Sequence, residues 1–138
     1  MRRWLFVLCL LCNVLGLYAK QATLEGVLRM CVVDNEGNVR TVSKYQETDC
    51  HRLCFVFVVE LSKKLNVVPY LEDGEDDFIS SPYQSGIMVV PQFSYSAKSF
   101  AAQYANKRVR VSGNLYAPGG GWRNATDVVM ELKNIKQL

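Results

Sequence analysis

The order of strand-like and helix-like segments in this chain predicts a mainly β domain: a small five-stranded barrel with one helix between strands 3 and 4. Three observations carry that expectation. Leu53–Leu61 is almost wholly apolar, with Phe55, Phe57, Val59 and Leu61 at alternate positions, the pattern of a central strand buried on both sides. Lys107–Tyr116 alternates Val109, Val111 and Leu115 against Arg108, Arg110, Ser112 and Asn114, as a half-buried strand does. Between them, Ser96–Asn106 is the one segment with helical spacing: Phe100, Ala101 and Tyr104 share a side, and Ser94 or Ser96 can cap it.

The remaining elements follow in order. Residues 22–33 read as the first strand, and the DNEG at Asp34–Gly37 is a turn signal. Val39–Tyr45 can extend as a short strand, and residues 46–52 read as a loop. Leu65–Tyr70 continues the central strand after a break at Ser62–Lys64. Leu71–Ser85 is loop-like, Ile87–Pro91 is a strand, Pro118–Gly121 breaks the chain, and Asp127–Ile135 is the last strand, with Val128, Met130 and Leu132 inward. Strand, strand, strand, helix, strand, strand is the layout of an OB-like barrel, and closure would remove the exposed edges of a small sheet.

The first nineteen residues read as a signal peptide: Arg2 and Arg3, an apolar run from Trp4 to Leu17, and the small Ala19 where a peptidase could cut. That run is 14 residues long, shorter than the roughly 20 that span a bilayer as a helix. The expected product is a single domain, 20–138, exported to a periplasm or secreted. Without the leader it carries 14 basic and 13 acidic residues. That near-balance argues against a general nucleic-acid binder.

Export sets how the cysteines are read. Cys9 and Cys12 leave with the leader; Cys31, Cys50 and Cys54 remain. In an oxidising compartment two of the three should pair. Cys31 shares the outward face of Glu25 and Arg29, and Cys54 that of Glu60, so Cys31–Cys54 is the favoured bridge, with Cys31–Cys50 as the alternative. Zinc held by these cysteines and His51 is disfavoured, because Cys50 and His51 are adjacent and cannot readily reach one tetrahedral ion. No metal and no cofactor is expected.

SFAAQYANKRVRVSGNLYAPGGGWRNATDVVMELKNI, from Ser99 to Ile135, resembles the C-terminal half of a family of exported bacterial domains of unknown function. That family has a helix, a GKRVRVSG-like strand, a loop and a last strand with a V-x-L-x-x-I-like pattern. Phe55–Val67 is similar to its central strand. Here Asn106 stands where glycine is usual, and Ala117–Ala125 carries no histidine, which speaks against a metal role for that loop. The resemblance implies an OB-like fold and an exported location, with no established activity.

The chain has one histidine and none of the G-x-S-x-G or H-E-x-x-H motifs of nucleophilic or zinc hydrolysis, so it is read as a non-enzyme. The candidate site is the loop Ala117–Ala125. Its Trp122 can stack on a sugar or base and its Arg123 can pair with phosphate or carboxylate; the plainer reading is a hairpin whose Trp covers the barrel end. Arg108 and Arg110, with Lys107, Arg123 and Lys133, could form a basic strip for an anionic ligand, or merely a solvated face. Glu72–Asp77 lacks EF-hand spacing, so a solvated acidic loop is the better reading than calcium. Asn124-Ala125-Thr126 is a glycosylation sequon if the pathway is eukaryotic. The expectation is an exported binding module whose partner is a small ligand, a glycan or an envelope protein. The alternative is an OB-type assembly subunit of a secreted complex that binds glycans.

Overall fold

The computed structural model describes residues 20–70, 82–92, 96–118 and 124–138. The proposed leader, the acidic segment 72–77, and Trp122 and Arg123 lie outside the described residues. Strand makes up 59% of what is described, so the domain is mainly β. Among the described residues there are six strands and one α-helix: β1 (Lys20–Asp34), β2 (Val39–Val42), β3 (Leu53–Asn66), β4 (Tyr83–Val90), α1 (Ala97–Tyr104), β5 (Arg108–Tyr116) and β6 (Val129–Gln137).

The pairings run in the order β2-β1-β3-β4-β6-β5, and β1 also pairs with β5, so five strands bond in a ring with β2 appended to β1. The count of five is thus corrected to six, because the short strand at Val39–Val42 does pair. Every pairing is antiparallel except β4 with β6. One side of β1 is shared along its length. Residues 20–27 meet β5, and 30–33 meet β2. Between them Leu28 bonds the chain leaving the helix, donating its N–H to the Lys107 carbonyl and accepting from Asn106 N–H.

Two glycines permit this closure. At Gly26, where β1 lies between Leu61 of β3 and Val109 of β5, an added Cβ would fall against the Glu60 backbone, with the carbonyl carbon at 2.8 Å. At Gly113 it would meet the Glu131 backbone, beside the point where the β5–β6 register shifts. A shift also interrupts β3–β4 between Glu60 and Leu65. The break expected at Ser62–Lys64 is therefore an irregularity inside one continuous strand, and Val68–Tyr70 is a 3₁₀ turn rather than strand.

The core follows the alternation seen in the sequence. Val109, Val111 and Leu115 from β5 and Val128, Met130 and Leu132 at β6 are buried with Leu28, Met30 and Val32 of β1. Ser96 caps α1, its hydroxyl oxygen accepting the Ser99 N–H at 3.1 Å. The helix buries Phe100, Ala101 and Tyr104. A chain of ring contacts, Tyr45–Phe55–Phe57–Phe100–Tyr104, has centroids 4.7–5.2 Å apart, within the range for favourable edge-to-face packing. Asn106 ends the turn after the helix at φ 63°, a left-handed conformation that asparagine tolerates better than other side-chain-bearing residues. Its Oδ1 accepts from Arg29 Nη1 at 3.1 Å.

β3 is apolar on both faces. Opposite the core, Cys54 faces Val33 and Val56 faces Cys31 across β1; Val58 faces Met88 on β4, which faces Val129 on β6. Cys31 and Cys54 thus do share a face, but the register sets them diagonally rather than opposite one another. The bridge is instead Cys50–Cys54, with Cα atoms 4.2 Å apart. This corrects both expected pairings: Cys50 lies at φ 58° in the preceding loop, which brings it back onto Cys54, and Cys31 is left as a buried thiol. Burial pushes that thiol's pKa up, against a smaller opposing effect of a Thr41 hydrogen bond, so it is protonated at neutral pH.

Candidate functional site

A polar groove of about 450 Å³ lies where three parts of the fold meet. Gly37 contributes from the β1–β2 turn, Tyr83–Gly86 from the start of β4, and Asn124–Asp127 from the end of the β5–β6 connection. Each wall has a sequence-level cause. The turn is organised by Asp34, whose Oδ1 accepts the N–H groups of Glu36 and Asn38, both at 2.9 Å. Gly37 sits at φ 84°, which glycine adopts without strain. These hydrogen bonds, that from the Asn38 N–H first, hold the Asp34 carboxyl below its ordinary range.

Segment 124–127 is fastened to β4 through Thr126. Its hydroxyl oxygen accepts the Met88 N–H at 2.9 Å, and its hydroxyl donates to the Val128 carbonyl at 2.7 Å. The threonine that completes the Asn-Ala-Thr sequon is thereby committed to holding the chain. The parallel pairing of Met88 with Val129 then continues the contact.

Gln84 bridges the two walls. Its Nε2 donates to Asp127 Oδ2 at 3.3 Å. A carboxylate only accepts, so this bond fixes the amide's orientation and leaves Oε1 as the acceptor. That Oε1 is buried and has no hydrogen-bond partner, the one such side-chain atom among the described residues. An unsatisfied buried acceptor costs about 1–3 kcal/mol. Tyr83, which also lines the groove, is 56% exposed.

Three of the basic residues proposed from the sequence are engaged with neighbours. Arg110 donates to Glu25 Oε1 of β1 at 2.7 Å, Lys133 pairs with Glu131 at 2.8 Å, and Lys107 Nζ donates to the Gln103 carbonyl at 2.8 Å. Arg108 is exposed and has no side-chain partner among the described residues. Among the described members of the expected strip, Arg110 and Lys133 are thus paired with carboxylates and Arg108 is not. Trp122 and Arg123 cannot be placed in the site, since they lie outside the described residues; their chain neighbours Asn124–Asp127 form its wall.

Gln84, Asp127 and Tyr83 were missed in the sequence. Tyr83 and Gln84 lay in a stretch read as loop, and nothing local announces that β4 runs parallel to β6. A second, mainly apolar groove of about 300 Å³ lies between Phe55–Phe57, Met88–Gln92 and Ala97. None of its described lining residues is charged. Among the described residues no three His, Cys, Asp or Glu side chains come together as a metal site would require. No family model, curated protein or solved structure matches this chain.

Proposed function

We propose that this chain is an exported, non-catalytic binding module of OB-like architecture, whose ligand occupies the groove between the β1–β2 turn and the β5–β6 connection. The ring order supports the fold reading. Taking β2 as an addition within the first connection, the five ring strands follow the Greek-key order of an OB barrel, with the helix between its third and fourth strands. In that fold the first and last inter-strand connections flank the usual ligand face. The observation that carries the functional reading is the groove itself: those two connections meet across β4, and Gln84 there holds an unspent acceptor.

Export rests on the leader-like residues 1–19, and the Cys50–Cys54 bridge fits an oxidising compartment. N-terminal sequencing of the native product should begin after Ala19. An intact Met1 in a cytosolic product with reduced thiols would contradict export. Amide shift mapping of the full chain with a mixed set of neutral, anionic and cationic small molecules tests the groove. Perturbed amides should cluster at Gly37, Gly86 and Thr126; clustering along Phe55 and Val90 instead would move the site to the apolar groove.

A further inference from the structure

We infer that the Cys50–Cys54 bridge is a redox latch. Oxidised, it straps the loop 46–52 over the end of β3 that β4 does not reach; reduced, it releases the strap and bares the β3 edge at Phe55. The inference goes beyond the binding reading and needs no ligand in the groove.

The register shows what the strap covers. β4 pairs with β3 only as far as Phe57, opposite Val89, whereas β1 pairs with it back to Leu53. Leu28 spends both its backbone groups on Asn106 and Lys107, away from β3. An antiparallel pair alternates residues that exchange bonds across it with residues that point the other way. Val32, four positions on, and its partner Phe55 therefore turn their backbone groups away from each other, and the Phe55 N–H faces the side where β4 has ended. There it donates to Thr48 Oγ1 at 3.1 Å. An uncovered N–H at a strand edge invites pairing with another chain, and this hydroxyl covers it.

The loop that carries Thr48 has little packing of its own. None of residues 46–52 is buried, and Glu47–Asp49 with His51–Leu53 surround an open hollow of about 610 Å³. Cys50 sits at φ 58°, a left-handed conformation unfavourable to a residue with a Cβ. The bridge ties Cys50, two residues after Thr48, to Cys54, directly before Phe55. One covalent link thus holds the strained residue and sets the hydroxyl over the amide. The release is bounded, because Tyr45, ahead of the loop, packs edge-on against the Phe55 ring and β3 remains paired with β1.

Cys50 is half-buried and Cys54 buried, so a thiolate from solution meets the Cys50 Sγ first. With a dithiol reductant, that attack breaks the S–S bond, and Cys54 leaves as a thiolate and takes a proton. The second reductant thiolate attacks the reductant sulfur of the mixed disulfide, freeing the Cys50 thiolate, which takes a proton in turn. The reductant ends as a disulfide, and two electrons have passed to the protein. A disulfide donor reverses the steps. Cys31 lies diagonally from Cys54, and burial keeps it a protonated thiol, so it does not compete for that sulfur.

The test is amide hydrogen exchange of the full chain, oxidised and in dithiothreitol, with thiol labelling to confirm that Cys50 and Cys54 are reduced. Reduction should speed exchange at Phe55 about tenfold or more and leave Leu28 protected, and reoxidation should restore it. Thr48→Val should speed Phe55 exchange to a similar degree with the bridge intact, and Cys31→Ala should leave the response unchanged. Cys50→Ser should reproduce the reduced state without reductant; Thr48→Val still reads the strap if Cys50→Ser fails to fold. Equal Phe55 protection before and after confirmed reduction would overturn the latch, as would a bridge that resists the dithiol in the folded protein. Loss of Leu28 protection together with that of Phe55 would overturn it too, by making the bridge a staple of the whole fold.

Discussion

The helix end of the molecule and the groove dispose of their polar groups in opposite ways. Around α1, Ser96 closes the helix start, Leu28 exchanges backbone bonds with Asn106 and Lys107, and Asn106 holds Arg29, which also reaches Glu60 at 3.3 Å. Beneath lies the aromatic chain through Phe57 and Phe100. At the groove, Gln84 keeps an unpaired acceptor, and Tyr83 is 56% exposed. The difference teaches that this fold completes its polar bonding at one end and leaves a buried acceptor unpaired at the other; on the binding reading proposed above, the second region is the one a ligand would engage.

Breaking the self-satisfied region should have the largest effect. Phe100 is fully buried, so Phe100→Ala should cost about 3–5 kcal/mol in urea unfolding. A loss under 1 kcal/mol would show that the helix does not anchor the core. Gly26→Ala should cost about 1–3 kcal/mol by forcing β1 away from the Glu60 backbone, again with groove residues unaffected. The disulfide lies outside both regions and spans only five residues. Cys50→Ser should cost about 2 kcal/mol on the chain-entropy estimate, against about 3 for the longer loop a Cys31–Cys54 bridge would close. Peptide mapping that found Cys31 oxidised would contradict the assignment.

The smallest effect sharpens the comparison at the groove's own turn. The Asp34 carboxyl titrates below its ordinary 3.8. A group depressed in the folded state stabilises above its unfolded pKa, and that contribution disappears as pH falls through the folded value. Asp34→Asn should therefore lower stability slightly at neutral pH and flatten the acid limb below about pH 4. Identical acid limbs in parent and variant would remove Asp34 from the account.

The strands were legible where one face met the core and the other met water, as in β5, because a period of two survives in the residues themselves. The helix was legible through Phe100, Ala101 and Tyr104 and its Ser96 cap. The disulfide was not. Parity identified the shared face of Cys31 and Cys54, but the decisive offset, Cys54 against Val33 and Val56 against Cys31, is a register between strands and leaves no local trace. The site was half visible. Sequence pointed to the β5–β6 connection, whose end forms one wall, but the other walls depend on β4 lying beside β6 and on the turn at Gly37 approaching both. The Glu25 that pairs with Arg110 sits 85 residues away in sequence.

Thermal unfolding and amide shift titration with whichever small molecule of the mixed set binds the parent, run on one Gln84→Leu sample, test the central claim most directly. Replacing a buried, unpaired acceptor with an apolar side chain removes a cost, so the midpoint should stay level or rise while binding falls at least about tenfold. A lowered midpoint with binding intact would mean that Gln84 holds the fold together, and that the groove is not where this protein meets its ligand.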